Sequence, residues 1–440
     1  MSAVLDPQQT DVTHVRSAAD KQRQWKMVAL FAIVSVLLVW FYLDIKHPTV
    51  NYLIKNDVGE KPHQLNAKTV ILVVLVIAVI ALVLAAVNKI RAGTMTIVVS
   101  LLVGLGFLLG FLVWNYADQT GQFPFSMANP LPGMIKYGVP LVFGALAGCM
   151  CERSGVINIA IEGQFLVGAF TAAVVASWAG AAEWGLLGGI AAGVAWGALL
   201  AVFAMRYHVN QVVLGVVLIA LATGLTDFLL SQIPDDPAIR DKFNNPATLL
   251  PLPQSDIPIL PTIAAKLSEI PVIGPTIFRQ TLLAYIMYVA VIVVTVLLFQ
   301  TKWGLRVRSV GEHPMAADTV GLKVNRLRWQ AVLFGGVLAG LGGAYFTVGA
   351  NGAFTSSMAA GNGFIALAAV IMGRWHPIYA TCAALFFGLM TTLSTQLALI
   401  HKIPTQFLIA LPYLATIIAV AGLVGRVRPP AADGEPYVKS

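Results

Sequence analysis

An all-α integral membrane protein, a polytopic bundle of about twelve segments, is the fold class that this sequence predicts. Three observations predict it. Of the 440 residues 58% are hydrophobic and only 11% charged, against about a quarter charged in soluble domains. The apolar residues fall in runs close to the ~20 that a helix needs to cross the hydrocarbon. The basic residues gather between those runs, more on one side than on the other. The net charge of +8 is spread over short loops and both tails, a pattern that points to membrane lipid and not to nucleic acid.

Residues 1–24 read as a cytoplasmic N-terminal tail. Trp25–Leu43 reads as a retained first span, because Asp44-Ile45-Lys46 offers no small-residue cleavage site. Further spans are expected at Thr69–Val87, Thr96–Trp114, Met134–Cys151, Val156–Trp178, Glu183–Met205, Gln211–Leu230 and Thr281–Gln300. Trp329–Ala350, Gly363–Gly373, Ile378–Leu397 and Thr405–Val424 complete the set. About three of these lie in an N-terminal extension, 25–130, and about nine in a core, 131–424. Gly363–Gly373 is short and glycine-bounded, so re-entry is left open for it; such segments are the usual pointer to a midplane site. Residues 425–440 read as a cytoplasmic C-terminal tail.

Orientation follows from Lys and Arg. With the N-terminus inside and every segment crossing, 18 Lys/Arg lie inside and 10 outside, which accounts for all 28. Both termini are then cytoplasmic. The proline-rich stretch 231–280 is then extracytoplasmic, either a cap or a linker, and 302–328 is a cytoplasmic loop. That loop carries Lys302, Arg306, Arg308, Lys323, Arg326 and Arg328 against only Glu312 and Asp318. Inside it Pro314 suits a first helical position, with Glu312 or His313 just ahead and Gly321 placed to end the run. The expected helix, roughly Pro314 to Val320, contains Met315, Ala316 and Ala317 and is too short to be stable alone. Its small face suits docking into something else.

No P-loop pattern occurs, and all seven histidines fall in tails or loops. No cofactor and no metal site is expected. Cys149, Cys151 and Cys382 read as small buried residues. Gly185, Gly189, Gly193 and Gly197 form a four-residue ladder, and Gly336 and Gly340 repeat its spacing, which suits tight helix packing. Asn158 and Glu162 are four apart and would share a face if both were helical. A charged group within a span costs roughly 2.5–3.5 kcal/mol on insertion scales, so it faces protein or water. Asn158, Glu162, Gln164 and Asn362 are therefore candidates for a polar substrate path; for the Asn158–Glu162 pair the alternatives are a structural hydrogen bond between helices or a carboxylate close enough to the cytoplasm to be wetted.

Five stretches carry a resemblance: ERSGVINIAIEGQFLVGA, HVNQVVLGVVLIALATGLTDFL, WGLRVRSVGEHPMAADTVGLKV, GGVLAGLGGAYFTVG and GNGFIALAAVIMGRWHP. In this order, within about 134–424, they resemble the permease subunits of bacterial ABC importers, most of all the group serving nucleosides and simple sugars. The resemblance implies a transport subunit of the bacterial inner membrane and not an enzyme. It also implies an ABC ATPase, a second permease subunit (the same or different) and an extracytoplasmic substrate-binding protein. It makes the 302–328 loop the ATPase-coupling loop, with Glu312, His313, Pro314, Met315, Ala316, Ala317 and Gly321 at the contact. The sequence departs from the family pattern in residues 1–130, in the length of 231–280, and at Ile219, which is apolar where relatives often carry asparagine.

Two other classes compete. A secondary transporter or channel for a small polar solute needs ion-coupling groups at mid-depth, for which Glu162 is the candidate. An intramembrane enzyme needs a cluster of His, Cys, Asp or Glu, and none stands at a suitable spacing.

Overall fold

The computed structural model describes residues 18–53, 63–90, 93–117, 125–126, 130–234, 236–251, 260–270 and 273–398, then 404, 406–407, 410, 413–414 and 428–438. Among them are ten helices long and apolar enough to cross a membrane, and a shorter apolar one, Asn362–Met372. The all-α membrane bundle is therefore the fold observed. The twelfth expected span, Thr405–Val424, lies largely outside the described residues. The chain divides into two compact units, Met1–Ser126 and Met127–Ser440.

The first unit holds three long helices, α1 (Ala18–Asp44), α2 (Ala67–Ala86) and α3 (Thr94–Tyr116). Strands β1 (Thr49–Leu53), β2 (His63–Asn66) and β3 (Phe125–Ser126) form a sheet ordered β2-β1-β3, which the run-length reading did not anticipate. Asn66 caps α2 by accepting the Thr69 amide at 3.2 Å. The helices are joined by aromatic packing, with Phe41 stacked on Trp114 at 4.5 Å between centroids. The Trp114 indole N–H donates to Asp44 at 2.9 Å, so its polar edge is satisfied.

The second unit is built around α4 (Pro130–Glu152), which is buried along most of its length. Helices α5 (Ile161–Ala179), α6 (Ala182–Ala201, continued by a π-helical turn to Arg206) and α7 (Gln211–Ser231) follow. The 231–280 stretch contributes α8 (Pro237–Asn244) and α9 (Leu260–Ser268). Next come α10 (Leu282–Gln300), α11 (Lys302–Glu312), α12 (Pro314–Thr319), α13 (Val324–Ala344), α14 (Asn362–Met372) and α15 (Pro377–Ala398).

The glycine ladders meet each other. A Cβ on Gly193 would lie 2.3 Å from the Gly336 carbonyl oxygen, and one on Gly340 would lie 2.2 Å from that of Gly189. Backbone therefore meets backbone where α6 crosses α13, and a methyl group at either position has no room.

The two ends of this unit are distinct. At the Pro130 end of α4, Asn244 of α8 both donates to and accepts from the Phe354 backbone, at 3.0 and 2.8 Å. The Leu249 amide donates to Val348 at 2.7 Å and the Asn245 amide to Ser177 at 3.0 Å. Residues 237–251 thus lie on the bundle as a cap, not as a free linker. A Cβ on Gly133 would strike Thr392, which puts the last turns of α15 at this same end. The tail 428–438 lies at the other end, beside Gly155 and Gly311. Ala398 and Arg428 therefore stand towards opposite ends of this unit.

Candidate functional site

Glu162 stands in the first turn of α5 and is 6% exposed. Its two carboxylate oxygens accept the amides of Gly361 at 2.7 Å and Gly363 at 2.6 Å. These are among the otherwise unpaired N–H groups that open α14, and a carboxylate there also suits the helix dipole. Gly361 has φ +82°, and a Cβ on Gly363 would lie 2.5 Å from the Glu162 nitrogen, so glycine is required at both positions.

The depth of this junction can be read from its neighbours. A Cβ on Gly144 would lie 2.7 Å from the Ala366 Cβ, and one on Gly148 would lie 2.7 Å from the Val370 Cγ2. Three residues before Ala366, Gly363 is then level with the middle of α4. At 1.5 Å per residue α4 is about 34 Å long, so the α14 N-terminus stands about halfway across the bundle.

Asn158 is not on that helix. It lies in the irregular stretch 153–160, in which Gly155 has φ +86°, and α5 begins only at Ile161. The expected shared face with Glu162 is therefore absent. Asn158 instead donates to the Gln164 side-chain oxygen at 3.0 Å, and both residues are fully buried. Asn158 Oδ1 and Gln164 Nε2 have no partner among the described residues. Asn362 turns back to donate to the Ala359 carbonyl at 2.7 Å.

The far end of α14 is held as firmly as the near end. The turn Gly373–Pro377 places Arg374 and Trp375 at φ +53° and +54°. The Trp375 indole N–H donates to the Glu152 carboxylate. Arg153 donates to the Trp375 and Arg374 carbonyls at 2.9 and 3.2 Å. Phe299, the penultimate residue of α10, carries the Arg308 guanidinium over its ring at 4.8 Å and packs against His376 at 4.6 Å. Glu152, Arg153 and Trp375 were missed in the sequence; the signal was a charged pair ending one apolar run and an indole ending another.

The 302–328 loop holds two helices where one was expected. Thr301 caps α11 by accepting the Gly304 amide at 3.0 Å, and Gly304, Val307, Val310 and Gly311 form its buried face. A Cβ on Gly311 would lie 2.3 Å from the Arg153 carbonyl oxygen, so α11 rests on the turn after α4. Pro314 opens α12 with His313 as N-cap, and Gly321 follows it at φ +85°. Ala317 is 4% exposed and faces the chain's own core. The outward surface is formed by Glu312, His313, Met315, Ala316, Thr319 and Val320, with Met315 58% and Val320 75% exposed. Ala317 therefore cannot itself touch a partner.

At the Pro130 end a cleft of about 290 Å³ lies between α7, α8 and the segment before α14, with Arg240, Asn244 and Phe354 in its wall. The Ser356 hydroxyl beside it donates to Asp227 at 2.7 Å. Among the described residues no group of three or more His, Cys, Asp or Glu is placed to hold a metal ion.

Comparison with known proteins gives consistent matches. The family described as branched-chain amino acid transport system / permease component matches residues 131–424. The guanosine ABC transporter permease protein NupQ of Bacillus subtilis is 39% identical over 319 residues, 70% of this chain and 96% of that protein. The nucleoside ABC transporter permease protein NupC of Lactococcus lactis is 38% identical over 317 residues, with the same two shares. The putative glucose ABC transporter permease protein TsgC13 of Haloferax volcanii is 32% identical over 318 residues, 68% of this chain and 92% of that protein. No solved structure matches significantly.

Proposed function

From the premise that this chain belongs to the branched-chain amino acid transport system / permease component family, as the multi-pass permease subunit of an ABC importer, we propose that it carries nucleosides inward across the bacterial inner membrane. The observation that carries this reading is the 39% identity extending over 96% of a guanosine permease. A purine nucleoside is a flat ring on a hydroxyl-rich sugar. A route for it needs fixed donors and acceptors at mid-depth, and the α14 N-terminus held by Glu162 stands there. Asn158, Gln164 and Asn362 are the further polar groups assigned to that route; Asn158 and Gln164 are fully buried against each other, with Asn158 Oδ1 and Gln164 Nε2 left without a partner among the described residues.

In this reading the Glu152 end is cytoplasmic, as are both termini. Glu312, His313, Met315, Ala316, Thr319 and Val320 meet a separate ATPase, and Pro314, Ala317 and Gly321 shape that surface from within. A second permease subunit completes the pathway, and a binding protein delivers solute at the capped end. The test is uptake of labelled guanosine by cells with and without the gene, with unlabelled inosine and glucose as competitors. Loss of guanosine uptake on deletion and competition by inosine are expected. Competition by glucose but not by inosine would overturn the nucleoside assignment.

A further inference from the structure

The segment 428–438 touches α11, α13 and the turn after α4 at the Glu152 end. The Ala432 amide donates to the Gly311 carbonyl at 2.9 Å, and the Ala431 amide to the Glu312 carboxylate at 3.1 Å, both on α11. The Gly434 amide donates to the Gly155 carbonyl at 3.3 Å, in the turn between α4 and α5. Arg328 of α13 is 1% exposed, and its guanidinium donates to the carbonyls of Ser154 at 3.1 Å and Glu435 at 2.8 Å. The buried ring of Tyr437 brings its hydroxyl to Asp318 of α12. A burial this complete is unusual for arginine, whose charge requires satisfied partners. Here the inter-helix turn supplies a carbonyl to Nε and the tail one to Nη1, while Nη2 has no hydrogen-bond partner among the described residues.

We propose that residues 428–438 are a positioning strap that makes α11, α12 and the 153–155 turn one mechanical body. The inference rests on the reading of the α11–α12 surface as the ATPase contact. The 153–155 turn is itself tied to α14 through Arg153, Arg374 and Trp375. A displacement of α12 by the ATPase then reaches α14, and through it the Glu162 junction, along contiguous hydrogen bonds. Without the strap the loop still presents its outward side chains but slides on its base.

Two variants test this. One deletes residues 428–440. The other is Gly434→Val, at a position with φ +80° where a Cβ would lie 2.7 Å from Ile157 Cδ1, which dislodges the strap while leaving every span intact. Each is reconstituted as the whole complex, with ATPase and guanosine-loaded binding protein. Expected are normal co-purification of the ATPase, ATP turnover within twofold of wild type, and at least a tenfold fall in guanosine moved per ATP. Wild-type transport per ATP in a variant that folds, or loss of the ATPase with it, would overturn the strap. Where the deletion lowers the yield of folded protein, Gly434→Val carries the test. Val320→Asp, on the outward face, is run beside them: retention of the ATPase there would overturn the loop assignment, a result separate from either strap outcome.

Discussion

Glu162 and Gly363 are 201 positions apart and are joined by a 2.6 Å hydrogen bond from the glycine amide to the carboxylate. With the Gly361 amide on the other oxygen, one side chain of α5 closes the start of α14 at the middle of the bundle. The carboxylate is therefore a structural fastener whatever else it does.

That relationship has a direct consequence for substitution. Glu162→Gln turns one acceptor into a donor facing an amide N–H and removes the charge that favours the helix terminus, at a cost of about 1–3 kcal/mol. Thermal stability and guanosine uptake should fall together in this variant, and Glu162→Ala should be worse. Both are measured on purified protein and in cells. Lost uptake at an unchanged melting temperature would give the carboxylate a role in the path itself.

The glycine crossing gives a second prediction. Gly340→Ala forces α6 from α13 because its Cβ would lie 2.2 Å from the Gly189 oxygen, and overpacking of this kind costs about 1–3 kcal/mol. Gly224 of α7 has nothing within 4 Å of its would-be Cβ, so Gly224→Ala should be neutral or stabilising by up to about 1 kcal/mol. Melting curves of the two variants should separate clearly; equal curves would contradict the crossing.

Sequence reading recovered what depends on local chemistry and lost what depends on distant backbone. Apolar runs placed the long helices, and Pro314 and Gly321 placed α12, because a run length or a missing N–H acts on its own neighbours. The stretch Ile157-Asn158-Ile159-Ala160-Ile161 looked helical, since nothing in it forbids a helix; the break comes from Gly155 and from Gln211, which accepts the Ile157 amide 54 positions away. Helix α11 was hidden by its charge, although Gly304, Val307, Val310 and Gly311 give it a buried face. The strap could not be seen, because it contributes mainly backbone amides and carbonyls, which every residue has, to partners more than a hundred positions away.

Asp433 makes the strap pH-dependent. Burial raises its carboxyl from the ordinary 3.8 to about 7, with the Arg328 guanidinium pulling the other way. Glu152 and Cys151 also face it. A raised folded pKa means that the attached strap holds the proton more tightly than the free one. Its contribution is complete below about 3.8 and is lost as pH rises through about 7. Hydrogen exchange at the Ala432 and Gly434 amides should be slower at pH 6 than at pH 8 once the intrinsic rates are divided out. Asp433→Asn should flatten this difference; an unchanged difference would assign it to another group.

Orientation has its own check. In a background with Cys382 replaced by alanine, Thr355→Cys at the capped end should react with an impermeant thiol reagent in intact cells. Thr319→Cys on α12 should react only after permeabilisation. Both side chains are exposed. The reverse pattern would place the Glu152 end of this unit, with the 428–438 tail, outside.

The central claim is that this chain is a passive pathway driven by a separate ATPase, and proteoliposomes test it most directly. Guanosine accumulation is measured with the complete complex and with this chain alone, with and without ATP and with and without an imposed ion gradient. The account predicts accumulation only with the complete complex and ATP. Accumulation by the chain alone, driven by the ion gradient without ATP, would contradict it and make Glu162 the ion-coupling group of a secondary transporter.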